Sequence, residues 1–218
     1  KDENITVDWI GFKFQNLDNF AQTKLAEYLF KIGFNSYQES GKLAKPIKES
    51  ILVSSKNKFQ VLFVHEAPYW KGISVYFSGA SATFFYSLVK QTSINWEFFS
   101  SAILGRFDLN SVRKNKTEDK ISVRQFSKNC QTKLMQTNKN ISLEKNSKSL
   151  ILKIGTRRSN NYSRIYQGKN FLKFEHEMKG KFIKTYHTLL IQNHFEEFEH
   201  KLSIHFYYRL YSEKYFEN

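Results

Sequence analysis

The chain has 218 residues, 17% of them aromatic and only two of them proline, a composition that excludes a disordered polypeptide and suffices for one domain with a substantial core. Its 34 Lys and Arg stand against 20 Asp and Glu, and the net charge of +14 points to polyanions or acidic membrane surfaces as partners without specifying a fold. A single cysteine, Cys130, excludes an intrachain disulfide and a cysteine-built structural zinc site, and no run of about 18 apolar residues supplies a membrane span.

The first predicted element is a strand in ITVDWIGFKFQ, where apolar and polar residues alternate from Ile5. LDNFAQTKLAEYLFKIGF then places Phe20, Leu25, Tyr28, Leu29 and Ile32 on one helical face, with Gly33 as the stop. KFQVLFVHEAPYW and GISVYFSG read as two strands of a hairpin closed around residues 68–71, and SATFFYSLVKQ as a short helix capped by Ser81. SAILGRFDLNSV is a strand running into the polar RKNKTEDK, and KISVRQFSKNCQTKLMQ reads as a basic helix. SLILKIGTR, YSRIYQG and FLKFEHEMKG form three successive strands. The tail from Lys181 carries Phe182, Ile183, Tyr186, Leu189, Leu190, Phe195, Phe198 and Leu202 at helical spacing. Strands with interleaved helices, lacking the strict alternation of a wound parallel sheet, predict an α+β fold with a largely antiparallel sheet.

The positive charge is concentrated. Residues 111–160 hold 13 Lys and Arg against three acids, ten of the fourteen net charges, which makes this the expected phosphate-facing segment. The chain begins with Lys rather than Met, as a processed start or a piece of a longer product would. The heavy use of Lys, Asn, Phe, Ile and Tyr suggests an AT-rich gene, organellar (a plastid among the choices) or from the cytoplasm of a low-GC bacterium.

No glycine-rich phosphate cradle ending in Gly-Lys-Ser/Thr occurs, so no nucleotide cofactor is expected, and HEAPY lacks the second histidine of a zinc-protease helix. FEHEMK is more pointed. On a strand Glu175 and Glu177 project together, about 7 Å apart, while Phe174, His176 and Met178 project the other way. Such a pair suits a hard divalent ion, or equally a strand face neutralised by Lys173 and Lys179. Asp108 interrupts an apolar strand on the face of Arg106 and Asn110, where a salt bridge to Arg106 or a metal would satisfy it. Tyr162 and Tyr166, four apart, point the same way on a strand. A phenol attacks poorly at neutral pH unless its anion is stabilised, which Arg157, Arg158, Arg164 and Lys169 are near enough in sequence to do.

The order of VYFSGASATFF, LGRFDL, LKIGTRRSNNYSRIY and LKFEHEMKG, with VDWIGFKF as opening strand, resembles the plasmid rolling-circle replication initiation factors of the Rep_trans type, over residues 7–180. The resemblance implies a catalytic domain over residues 5–180, related to RNA-recognition-motif-like sheets; the tail at 181–218 reads from its spacing as a helical segment, packed on that domain or leading into further sequence. It implies an enzyme that nicks one strand of an origin, joins its tyrosine to the 5′-phosphate and leaves a 3′-hydroxyl as primer. Residue by residue, Tyr166 takes the place of the nucleophile, Asp108, Glu175 and Glu177 those of ligands to Mg²⁺ or Mn²⁺, and Arg157, Arg158, Arg164 and Lys169 those of backbone contacts to DNA. A homodimer is compatible with it; a membrane partner is not expected. Two positions depart from the family pattern: Val112 stands where a second Asp is common, and Gln167-Gly168 where Asp-Lys follows the tyrosine. The reading from a different class is a noncatalytic DNA- or RNA-binding remnant of a mobile element, and a third is a basic protein of organellar ribosomes or membranes, the membrane version disfavoured by the lack of a markedly amphipathic basic helix.

Overall fold

The computed structural model describes residues 5–15, 19–34, 36–39, 48–53, 60–67, 70–92, 99, 101–114, 140–145, 150–168 and 171–211. The expected basic helix within residues 120–136 lies outside them, as does Lys169. The protein is α+β, and the seven strand pairings whose register is established are all antiparallel. It divides into two compact units, one of residues 7–107 and 183–195, the other of residues 1–6, 108–182 and 196–218.

In the first unit the strands are β1 (Ile5–Gln15), β2 (Ser36–Glu39), β3 (Lys48–Val53), β4 (Gln60–Ala67), β5 (Trp70–Ser78) and the first half of β6 (Ile103–Lys114), in the order β2-β3-β4-β5-β1-β6. Alternation along β1 buries Ile10, Phe12 and Phe14 on one face. Helix α1 (Asn19–Lys31) contributes Leu25 and Leu29, one turn apart, and helix α2 (Ala80–Thr92) contributes Ala82, Phe85 and Val89. Phe99 is the hub, its ring 4.7 Å from Phe12, 5.8 Å from Phe14, 5.7 Å from Phe85 and 5.9 Å from Tyr28 of α1. Phe77 and Phe85 stack at 3.9 Å.

Gly33 does stop α1. At φ 107° it occupies backbone space that a side chain disfavours, and Phe34 N–H returns to the Leu29 carbonyl at 2.9 Å. Ser81 is not the cap of α2. The helix starts at Ala80, the carbonyl of Gly79 accepts from Ala82 and Thr83, and Ser81 Oγ is buried without a hydrogen bond among the described residues. Thr83 Oγ1 instead ties the first turn to the Val7 carbonyl at 2.8 Å. A third helix, α3 (Lys184–Ile191), belongs to this unit.

In the second unit the rest of β6 is followed in the sheet by β10 (Phe171–Lys179), β9 (Asn161–Gln167), β8 (Leu150–Ile154) and β7 (Ile141–Lys145). Leu152, Ile154, Ile165, Phe174 and Met178 are buried, with Phe198 and Leu202 of helix α4 (Phe195–Tyr211). The tail expected as one helical run is broken: a 3-10 turn at Gly180–Ile183 precedes α3, and Asn193, at φ 58°, separates α3 from α4. No described helix is long and apolar enough to cross a membrane.

Candidate active site

The antiparallel register of β9 and β10 builds the site. Residues directly opposite across such a pair share a face. Tyr162 lies opposite Glu177, Arg164 opposite Glu175 and Tyr166 opposite Lys173. Strand β8 extends the same face with Ile151 opposite Tyr166 and Lys153 opposite Arg164, and Lys153 reaches Glu144 of β7. The other face carries Phe174, His176 and Met178, all buried, as the alternation predicts. His176 Nδ1 lies 2.8 Å from Ser163 Oγ, its opposite number on β9, so the histidine of Glu-His-Glu is a core residue paired with a hydroxyl.

The two glutamates of this face are buried, Glu175 to 8% exposure and Glu177 to 3%, and both are held by cations. Glu175 Oε2 is 2.8 Å from Arg164 Nη2, and Oε1 is 2.6 Å from Lys173 Nζ. Glu177 pairs with Lys179, whose ammonium also donates to the Arg157 carbonyl at 2.7 Å. Of the two arrangements open to this pair, the structure shows the lysine-neutralised one, in a buried setting. A carboxylate so deeply placed would be costly without these partners. The match to Arg164 is incomplete. Arg164 Nε and Glu175 Oε2 are both buried without a hydrogen bond among the described residues, so the contact is an ion pair rather than an aligned bond.

Arg164 sits between the two tyrosines, its guanidinium carbon 5.4 Å from the Tyr162 ring centre and 5.8 Å from that of Tyr166. They differ in access: Tyr162 is 3% exposed, Tyr166 half-buried. The Glu175 carboxylate neighbours the Tyr166 phenol diagonally across the strand pair. Burial first, then the charge of Glu175, push the Tyr166 pKa well above the ordinary tyrosine value, and Arg164 opposes this only in part. The expectation that surrounding cations would favour the phenolate is therefore corrected. Burial and the neighbouring carboxylate favour the neutral phenol.

Register also explains which cations reach Tyr166. Arg157 and Arg158 are exposed on the turn between β8 and β9, whereas Tyr166 lies at the far end of β9, five residues beyond Asn161, or roughly 17 Å along a strand. They are not brought to the phenol. Arg164 is, and Lys173, read from the sequence only as a neutralising neighbour, stands opposite Tyr166 because the turn at Gly168 fixes that pairing.

Asp108 is buried at 4% exposure on β6, next to Phe107, which packs edge-on against Tyr86 of α2. Val112, where the resemblance expects an acid, is 57% exposed. Among the described residues no three His, Cys, Asp or Glu side chains come together as a set able to hold a metal ion, so Asp108, Glu175 and Glu177 do not converge. With Glu175 and Glu177 occupied by Lys and Arg, this donor set as arranged does not fit Mg²⁺ or Mn²⁺.

No family model matches the sequence, and no curated protein matches it. Among solved structures the chain is similar in fold to the rolling circle replication initiator protein of Geobacillus stearothermophilus, with a TM-score of 0.54 and 14% identity over 88% of this chain and 80% of that one.

Proposed function

We propose that this protein initiates DNA replication by nicking one strand of an origin, with Tyr166 as nucleophile. One observation carries the reading: a half-exposed phenol on the same strand-pair face as a buried carboxylate that contacts an arginine and a lysine. The likeness in fold to a rolling circle replication initiator and the net charge of +14 support it.

The chemistry follows from the contacts. Tyr166 Oη loses its proton to Glu175 as it attacks the scissile phosphorus, the bond from phosphorus to the 3′-oxygen breaks, and the leaving 3′-oxygen takes a proton from Lys173 or water. The products are a 5′-phosphotyrosyl link and a 3′-hydroxyl. Arg164, whose guanidinium lies beside the Tyr166 ring, binds the phosphate oxygens and offsets their developing charge. Replacing Glu175 with Gln keeps the shape and removes the acceptor. Glu175→Gln is expected to slow nicking by about 10²- to 10⁴-fold. Because the charge of Glu175 raises the Tyr166 pKa, the same change is expected to let the phenol ionise at lower pH. An ultraviolet titration of Glu175→Gln against its Tyr166→Phe double variant reads that shift; an unmoved titration counts against the proton transfer.

Participation of Mg²⁺ or Mn²⁺ is a separate proposal, in which Asp108, Glu175 and Glu177 are the residues that would hold the ion and its role would be to polarise the phosphate. It requires the lysines to release the glutamates. Lys179→Ala, which frees Glu177, is then expected to lower the Mn²⁺ concentration giving half-maximal nicking; an unchanged concentration argues that Glu177 holds no ion.

The noncatalytic DNA-binding reading is favoured by one observation, the missing three-acid set among the described residues. The two readings part on a covalent protein–DNA adduct, which only the first produces.

A further inference from the structure

The first unit has a second aromatic and cationic group, unrelated to Tyr166. Along β1 the residues alternate, so Ile10, Phe12 and Phe14 meet the helices while Trp9, Gly11 and Lys13 face the other way. Opposite them on β5 stand Ser78, Tyr76 and Ser74. Trp9 and Tyr76 are both half-buried, with ring centres 5.8 Å apart and planes tilted by 47°. The Arg106 guanidinium lies over the Trp9 ring, 4.4 Å from its centre.

Two mid-strand glycines shape this face. A Cβ on Gly11 would lie 2.8 Å from Tyr76 Cδ1 and 3.3 Å from Trp9 Nε1, so a bare backbone lets both rings approach the strand closely. A Cβ on Gly105 would lie 3.3 Å from Lys13 Cε and 3.4 Å from its Cγ, so the lysine stem crosses β6 over a glycine in the same way. Trp9 Nε1 is buried and makes no hydrogen bond among the described residues.

Two rings on a sheet face, one of them with a guanidinium over it, and a lysine close by meet the two needs of an unpaired nucleotide, a stacking surface for the base and positive charge for the phosphate. A duplex keeps its base faces stacked on one another and cannot use such a surface. We propose that Tyr76 and the Trp9 ring with Arg106 over it, with Lys13 alongside, form a stacking platform for single-stranded nucleic acid. Charge complementarity selects the ligand: both cations of the group are on this face, in a chain of net charge +14. The platform lies wholly within one unit, shares no residue with the Tyr166 site, and stands whether or not Tyr166 cuts DNA.

The test uses the full chain carrying Tyr166→Phe, so that cleavage does not enter, and measures by anisotropy its affinity for a labelled oligothymidine, the matching duplex and heparin. Trp9→Ala and Tyr76→Ala are each expected to weaken single-strand binding about 5- to 150-fold, while duplex and heparin binding change little. Trp9→Phe keeps a ring and is expected to retain most of the affinity, which separates lost stacking from a damaged fold. Lys13→Ala is expected to lower the salt slope by about 1. The proposal is overturned if both alanine variants bind the single strand like their parent, if duplex and heparin affinities fall in step, or if Trp9→Phe loses as much as Trp9→Ala.

Discussion

Tyr166→Phe is expected to abolish covalent attachment to origin DNA and to reduce nicking by at least about 10⁴-fold, the scale on which loss of a nucleophile is felt. The substitution removes one hydroxyl and leaves the ring against Ile151 and Arg164, so the fold should be unaffected. Binding is expected to remain, since Arg164 and Lys173 are still present. The assay is a supercoiled origin plasmid incubated with protein and Mn²⁺, scored for nicked circle and for a protein-bound 5′-end. Tyr162→Phe serves as the contrast. Tyr162 is buried beside Arg164 and Glu177, and its replacement is expected to leave the adduct intact.

The largest effect on stability is expected at Phe12. Its side chain is fully buried and lies 4.7 Å from Phe99 and 6.2 Å from Phe85, linking strand β1 to helix α2 and to the hub ring. Phe12→Ala removes a whole ring from a closely packed aromatic cluster, and the neighbours, locked by one another, can collapse only partly into the space. A loss of about 3–5 kcal/mol is expected, read as a lower denaturant midpoint in chemical unfolding. Phe30→Ala provides the comparison. Phe30 is 42% exposed on α1, and its loss is expected to cost under about 1 kcal/mol.

The elements with strong periodicity were legible in the sequence. ITVDWIGFKFQ, the α1 and α2 segments, GRFDL and the three strands from Leu150 to Lys179 all reappear, because two-residue alternation and three-to-four-residue spacing report directly on which face is buried. Strands β2 and β3 escaped notice. SYQE is four residues long and mostly polar, and its strand character comes from pairing with KESILV rather than from its own pattern. The hub role of Phe99 was equally hidden, since no local pattern separates one core phenylalanine from another among 21.

The site was legible as a face but not as a network. Alternation alone placed Glu175 with Glu177 and Tyr162 with Tyr166, and the structure agrees. Sequence proximity misled on the cations: Arg157 and Arg158 are within ten residues of Tyr166, yet an antiparallel hairpin turns those residues into length and leaves the arginines at its other end. Conversely Lys173, seven residues away across a turn, becomes the direct opposite of Tyr166. The direction of the Tyr166 pKa depends on burial and on a diagonal contact with Glu175, neither of which is written in a local motif.

The central claim is that the Tyr166 hydroxyl forms the bond to DNA, and the residues around it make this directly measurable. Trypsin cuts after Arg164 and Lys169, so Tyr166 is released in the peptide IYQGK while Tyr162 leaves in SNNYSR. After nuclease trimming of the protein–DNA adduct, mass spectrometry of the tryptic digest is predicted to show the nucleotide mass on IYQGK. The same mass on SNNYSR or another tyrosine peptide, or no adduct with an origin strand that is demonstrably nicked, would contradict the account.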